Sequence, residues 1–170
     1  MASILSPERV ATLRLADLTT ASPTEPGYRT FERSRTLGRR DFAGAVDDLL
    51  TWRVHERAGL SVASSSPRVE EGSVVEMRLG PGPFGLRAPC RVLEVVRGDG
   101  VAAFTYGTLP GHPEAGEERF EVRREDDGSI TFTISGFSRP ASSLAMAVGP
   151  LGSWAQDRMT SRYLHVLDPR

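Results

Sequence analysis

Phe104-Thr-Tyr-Gly-Thr-Leu-Pro-Gly-His-Pro-Glu-Ala-Gly-Glu-Glu-Arg-Phe120 joins two strand-like runs through a segment punctuated by Pro110, Gly111, Pro113 and Gly116 and holding one histidine. Ordering a loop of this kind costs backbone entropy and buries little apolar surface, so its Tyr106, His112, Glu117 and Glu118 invite a functional explanation. The prolines and glycines also suit turn geometry alone. Strand parity separates the two acids: Glu118 shares a face with Phe120 and Val122, whereas Glu117 points with Arg119, Glu121 and Arg123. A carboxylate on an apolar face must be paired, hydrogen-bonded or protonated. Glu118 is therefore either a member of a structural ion pair, with Arg139 as one conceivable partner, or a functional acid or base.

Period-two patterning extends on both sides of this segment. In Ser73-Val-Val-Glu-Met-Arg-Leu79, Val75, Met77 and Leu79 share one face and Glu76 and Arg78 the other, as in a half-buried antiparallel strand. Residues 60–69, 90–97, 101–109, 117–124 and 129–137 read as further strands, joined at Gly98-Asp99-Gly100 and at residues 125–128 by tight turns. Residues 28–36 form a first strand whose Arg29, Arg33 and Arg35 blunt an edge. Residues 80–89 are a Pro/Gly loop in which the apolar Phe84 and Leu86 either line a cavity mouth or fold onto the loop itself.

Helical spacing appears three times. Ser6-Pro7-Glu8 reads as cap, first-turn proline and acidic first turn of a short helix within an arm and linker, residues 1–27. Asp41 caps a second helix with the stripe Phe42, Ala45, Val46, Leu49 and Trp52, ending near Gly59, and His55 lies at the buried edge of that face if the helix persists. The longest stripe is C-terminal and includes Leu144, Leu151, Trp154, Met159, Tyr163 and Val166, with Gly149-Pro150 imposing a kink or break.

Lys plus Arg (21) and Asp plus Glu (22) nearly cancel to a net charge of −1, so no global field attracts nucleic acid or an anionic membrane. Cys90 is the single cysteine, which excludes an intrachain disulfide and a cysteine-cluster metal site and fits a reducing cytoplasm. No window approaches a membrane span, no secretory leader is visible, and no nucleotide loop, zinc spacing or serine nucleophile motif is present. The expectation is a cytoplasmic monomer or weak homodimer with no metal, cofactor or nucleic-acid partner.

One strand, a helical insertion, further antiparallel strands and a long C-terminal helix make an α+β pattern: a curved antiparallel sheet of about six to seven strands gripping a long, Pro-kinked helix. That order looks like the helix-grip arrangement of START and Bet v 1-like proteins, with one domain over residues 28–167. Leu50-Thr-Trp-Arg-Val-His-Glu-Arg-Ala-Gly-Leu60, Pro89-Cys-Arg-Val92, residues 104–113, Gly116-Glu-Glu-Arg-Phe120 and Phe137-Ser-Arg-Pro-Ala141 together resemble the DUF1990 (UPF0548) family over about residues 27–167. The resemblance implies this fold and supplies no reaction. It selects Trp52, Arg53, His55, Cys90, Tyr106, Gly107, Thr108, Gly111, His112, Pro113, Glu117, Glu118, Phe120, Arg139 and Pro140, while Val54 and Thr20 depart from the family's usual residues.

Three functions compete. A binding module would enclose a small apolar or amphipathic molecule between sheet and C-terminal helix, contacted by Trp52, His55, Phe84, Tyr106, Thr108, His112, Glu118, Arg139 and Trp154. A small-molecule enzyme of cyclase, isomerase or hydrolase type would use His112 and Glu118 as acid and base near Tyr106. A protein-binding domain would instead show an apolar surface patch.

Overall fold

The computed structural model describes residues 2–20, 23–80, 85–141 and 159–168. Its strands are β1 (Ser3–Ile4), β2 (Arg29–Thr36), β3 (Ser61–Ser64), β4 (Val74–Leu79), β5 (Leu86–Arg97), β6 (Val101–Thr108), β7 (Glu114–Arg124) and β8 (Ile130–Pro140). The helices are α1 (Pro7–Leu15), α2 (Phe42–Leu50) and α3 (Arg53–Arg57), and residues 159–165 are also helical. The strands form one open eight-stranded sheet in the order β1-β3-β4-β5-β6-β7-β8-β2. All seven strands expected from the sequence are present. The eighth is β1, a two-residue strand parallel to β3, too short to carry a period of its own. The proline break expected at Pro150 and most of the long C-terminal stripe lie outside the described residues.

The inner face of the sheet holds the core. Phe104 faces Phe120, and Phe120 faces Ile134, across three neighbouring strands. Directly opposed residues of antiparallel strands share a face, so these side chains form one continuous row. Leu49 and Leu50 of α2, Trp52, Val54 of α3, and Tyr163 and Leu167 of the C-terminal segment pack onto it as one buried cluster. A fully buried aromatic side chain contributes on the order of 1.5–3 kcal/mol relative to an exposed one, so this row anchors the helical layer to the sheet.

The second helix is divided, where the sequence reads as one run to Gly59. It starts at the expected cap, with the Asp41 carboxylate accepting from Gly44 N at 3.0 Å. It ends at Leu50, and Trp52 then takes a left-handed backbone with φ 65°. That conformation costs a non-glycine residue about 1–2 kcal/mol. Trp52 is fully buried, and its indole N–H donates to Ser66 O at 3.3 Å, which offsets the strain. The turn re-aims α3, burying Val54 and His55 and leaving Arg53 and Arg57 outside.

Asp48 locks this arrangement. Its Oδ2 accepts from Arg39 and Arg57 at 2.8 Å each, and its Oδ1 from Arg57 at 2.9 Å and Arg53 at 3.1 Å. Burial alone raises a carboxyl pKa, yet the hydrogen bonds from Arg57, Arg39 and Arg53 outweigh it and hold Asp48 below the usual carboxylate range. Arg39 and Arg57 also donate to the carbonyls of Leu167 and Val166, fastening the C-terminal segment to α2 and α3.

The outer face is covered as well, where the sequence suggests solvent. Ser6 caps α1 through Arg9 N, and the helix lays Leu13 against Val74 and Leu109, with Leu5, Val10, Ala16 and Leu18 around them. Arg9 reaches Glu76 at 2.6 Å and Arg78 reaches it at 3.0 Å, so Glu76 is buried rather than solvated. Thr19 N donates to Thr108 O at 2.9 Å, extending the tether. Leu13→Ala should therefore cost about 2–5 kcal/mol in urea unfolding. A loss under about 0.5 kcal/mol, typical of a surface site, would show that the arm lies outside the cooperative unit.

Candidate functional site

The segment that reads as a long loop is mostly strand. β6 runs to Thr108 and β7 starts at Glu114, leaving residues 109–113 as the connection. Gly111, with φ 98°, makes the turn, and His112 N donates to Leu109 O at 3.1 Å. This short hairpin brings Tyr106 directly opposite Glu118. The register then continues through Gly136 to Phe31 on one side and to Val92 on the other.

The Tyr106 hydroxyl donates to Glu118 Oε2 at 2.6 Å, a short bond of the charge-assisted kind. Burial raises the Glu118 pKa to about 7, and the Tyr106 bond offsets part of that rise. Around this carboxyl lie three weaker acids. Burial, followed by the Glu118 charge, pushes the Tyr106, Tyr163 and Cys90 groups well above their ordinary values. The cluster therefore carries at most one negative charge near neutral pH, and Glu118 carries it. Cys90 stays a thiol, too protonated to act as a nucleophile.

His55 projects from α3 into the same region. Its ring centroid is 5.0 Å from Phe120, 5.2 Å from Tyr163, 5.8 Å from Trp52 and 5.9 Å from Tyr106. Burial alone lowers its pKa to about 3, so the ring is neutral. Among the described residues neither ring nitrogen has a hydrogen-bond partner, although both are shut off from solvent. A neutral imidazole carries one donor and one acceptor, and leaving either unmet costs about 1–3 kcal/mol.

Trp52, His55, Tyr106 and Glu118 thus converge on the inner face, while the other candidates are engaged elsewhere. The Thr108 hydroxyl is held by Gly116 N at 2.9 Å and Thr19 Oγ1 at 2.7 Å. His112 Nδ1 accepts from Glu114 N at 3.0 Å within its own turn, and burial lowers its pKa to about 4. No hydrogen bond joins it to Glu118 among the described residues. Arg139 is opposite Ala115 on the other face, stacked 4.6 Å over the Tyr28 ring and 4.0 Å from Glu25, so Glu118 takes Tyr106 as its partner instead. Phe84 and Trp154 lie outside the described residues.

Sequence reasoning missed Tyr163 and Gly136. Tyr163 reads as one more apolar stripe position, yet a buried phenol needs a polar neighbour, and that need was the available signal. Gly136 continues the face of Ile130, Phe132 and Ile134 without a side chain, next to Glu118. A Cβ there would collide with Glu117 O and come within 3.2 Å of Phe31 Cζ, so the close approach of strand and ring at this point requires glycine. Glu118, half-buried rather than fully covered, lies directly opposite it.

Comparison with known proteins agrees with this architecture. Residues 12–166 match the family described as a domain of unknown function, DUF1990. A UPF0548 protein of Deinococcus radiodurans is 35% identical over 112 residues, covering 61% of this chain and 57% of that protein. The aligned stretch thus spans just over half of that relative's length. A hypothetical protein of Helicobacter pylori has a crystal structure with TM-score 0.64, 14% identity and coverage of 98% of this chain and 95% of that one. The ginseng major latex-like protein 151 gives TM-score 0.52 at 14% identity over 83% of this chain and 99% of that one. These neighbours share the Bet v 1-like α+β fold.

Because the folded-state pKa of Glu118 is raised above its ordinary 4.5, the folded protein binds the proton more tightly. Its contribution to stability is complete below pH 4.5 and is lost as pH rises through about 7. His55 and His112, with lowered pKa values, act in the opposite sense and weaken the fold as pH falls below 6.5. Glu118→Gln removes only the first effect. The melting temperature of wild type minus that of this variant should decline between pH 5 and pH 8, whereas a flat difference would mean that Glu118 titrates normally.

Proposed function

The chain belongs to the DUF1990 family, and on that premise we propose that it is a binding module for a small apolar or amphipathic molecule held between the inner face of the sheet and a long C-terminal helix. The observation that carries this reading is the Tyr106–Glu118 pair set in an aromatic nest beside a histidine whose ring nitrogens find no partner among the described residues. A core required only for stability would be better served by apolar side chains of the same volume. Polar groups that converge in an apolar recess are the usual equipment for orienting a ligand.

The chemistry of the nest limits what fits. Trp52, Phe104, Phe120 and Tyr163 form a buried ring surface suited to an apolar body, and half-buried Glu118 lies beside it. A carbonyl or hydroxyl on the ligand can accept from protonated Glu118 or Tyr106, or engage His55. A carboxylate or phosphate at this spot would repel ionised Glu118, and no cation of the inner cluster offsets it.

A second reading has its own observation. A carboxyl with a pKa of about 7 beside a tyrosine hydroxyl is matched to proton transfer at neutral pH. In that reading Glu118 is the acid or base, Tyr106 orients it, and His112 takes no part.

A panel of fatty alcohols, phenols and polycyclic ketones, followed by amide chemical-shift mapping, tests the proposal. Binding should perturb Tyr106, Glu118, His55 and Tyr163, and Tyr106→Phe and Glu118→Leu should each weaken it by about tenfold, the cost of one hydrogen bond of roughly 1.4 kcal/mol. Absence of binding across the panel, or binding that both variants leave intact, would sink it. Conversion of a bound compound, abolished by Glu118→Gln, would favour the enzymatic reading.

A further inference from the structure

On the far side of α3 from His55 lies an open basin of about 1290 Å³ between α2, α3 and the C-terminal segment. Five arginines line it, Arg39 and Arg40 ahead of α2, Arg53 and Arg57 on α3, and Arg162 on the C-terminal segment. Four aspartates also line it, but Asp47 is bonded to Arg68 at 2.8 Å and Asp168 to Arg35 at 2.9 Å, both arginines from outside the basin. Within the basin Asp41 and Asp48 remain to balance five guanidinium groups, and Asp127, beside it, bears on Arg40.

Asp48 cannot absorb more. Its two oxygens already accept four hydrogen bonds, two each, which is about the capacity of a carboxylate. Asp41 is spent on Arg39 and on capping α2. Arg53 gives Asp48 only Nη1, leaving its other N–H groups available. Arg40 gives Nη1 to Asp127 O, and its charge helps to hold the Asp127 carboxyl below its ordinary pKa. Arg162 is exposed and has no carboxylate partner among the described residues; its Nη1 stands 4.0 Å from where a Cβ on Gly59 would lie. With Asp127 set against Arg40, three segments of chain hold an excess of two positive charges around one concavity, in a protein whose net charge is −1. Like charges gathered this way repel one another and are relieved by an anion.

We propose that this basin is a binding site for a small multiply charged anion of the phosphate class, a phosphate ester or diphosphate, with Arg53 and Arg162 as its principal ligands. Guanidinium forks pair with phosphate oxygens in bidentate fashion, and arginines arriving from separate segments suit a tetrahedral group with oxygens facing several directions. The concavity has small-molecule dimensions rather than those of a nucleic-acid track. The site is independent of the inner nest, so either can fail without the other.

Calorimetric titration of the full chain with pyrophosphate, at fixed ionic strength, tests this. Pyrophosphate should bind at one site, more tightly than inorganic phosphate, and more weakly as salt rises. Arg162→Gln and Arg53→Gln should each weaken binding by about tenfold, the loss of a charge-assisted hydrogen bond. Arg87→Gln, an exposed strand position outside the basin, should leave it unchanged. Arg162→Gln removes no partnered group and should melt with wild type, so lost binding there cannot be lost folding. Unaltered binding in both basin variants would overturn the proposal. So would citrate binding as tightly as pyrophosphate, or an acidic peptide binding more tightly than either.

Discussion

One buried carboxylate governs the helical layer. Asp48 holds Arg39, Arg53 and Arg57 at once, and through the first and last of these it reaches the carbonyls that end the C-terminal segment. Removing Asp48 would strip three guanidinium groups of their shared acceptor at once, and Arg39, the most buried of them, would lose the most. With α3 pinned by its outward arginines, its inward residues have no freedom either. The same five-residue helix thus sets His55 under the sheet and Arg53 and Arg57 over the basin. The left-handed turn at Trp52 is the geometric condition for this, and the burial of its indole is what sustains the turn.

Beneath that layer the sheet sets the chemistry through register. Tyr106 and Glu118 meet because a five-residue connection closes the β6–β7 hairpin, and Gly136 continues their row on β8. Glu118 sits among rings, phenols and a thiol with no cation near it among the described residues, so it is poised between a neutral hydrogen-bond donor and a single half-buried charge. Asp48 and Glu118 show how differently one protein treats two carboxylates. The first is surrounded by guanidinium groups and stays ionised. The second accepts from one phenol, with a second phenol and a thiol nearby, and ionises near neutrality.

Much of this was legible in the chain. Period-two alternation located seven strands and separated Glu118 from Glu117, since apolar neighbours at 120 and 122 leave only one parity for the inner face. Ser6 and Asp41 announced helix starts through side-chain caps. What escaped had a common cause, namely that it depends on contacts distant in sequence. Nothing local marks the break at Trp52, which only burial against Phe104 and the bond to Ser66 sustain. Glu76 alternates like a solvated residue, yet α1 returns from far away to cover it with Arg9. Arg139 looks like a partner for Glu118 by charge, but its parity places it on the opposite face. The dense polarity of residues 106–118 suggested one cluster, whereas Thr108 and His112 are consumed by the turn that brings Tyr106 and Glu118 together.

The central claim is that Glu118 is a desolvated carboxyl held by Tyr106 on the inner face of the sheet. Carbon-13 titration of the Glu118 carboxyl in wild type and in Tyr106→Phe measures this directly. The account predicts a midpoint of about 7 in wild type and a higher one in the variant, because the tyrosine bond favours the ionised form. A midpoint near the ordinary 4.5, unchanged by the substitution, would contradict it.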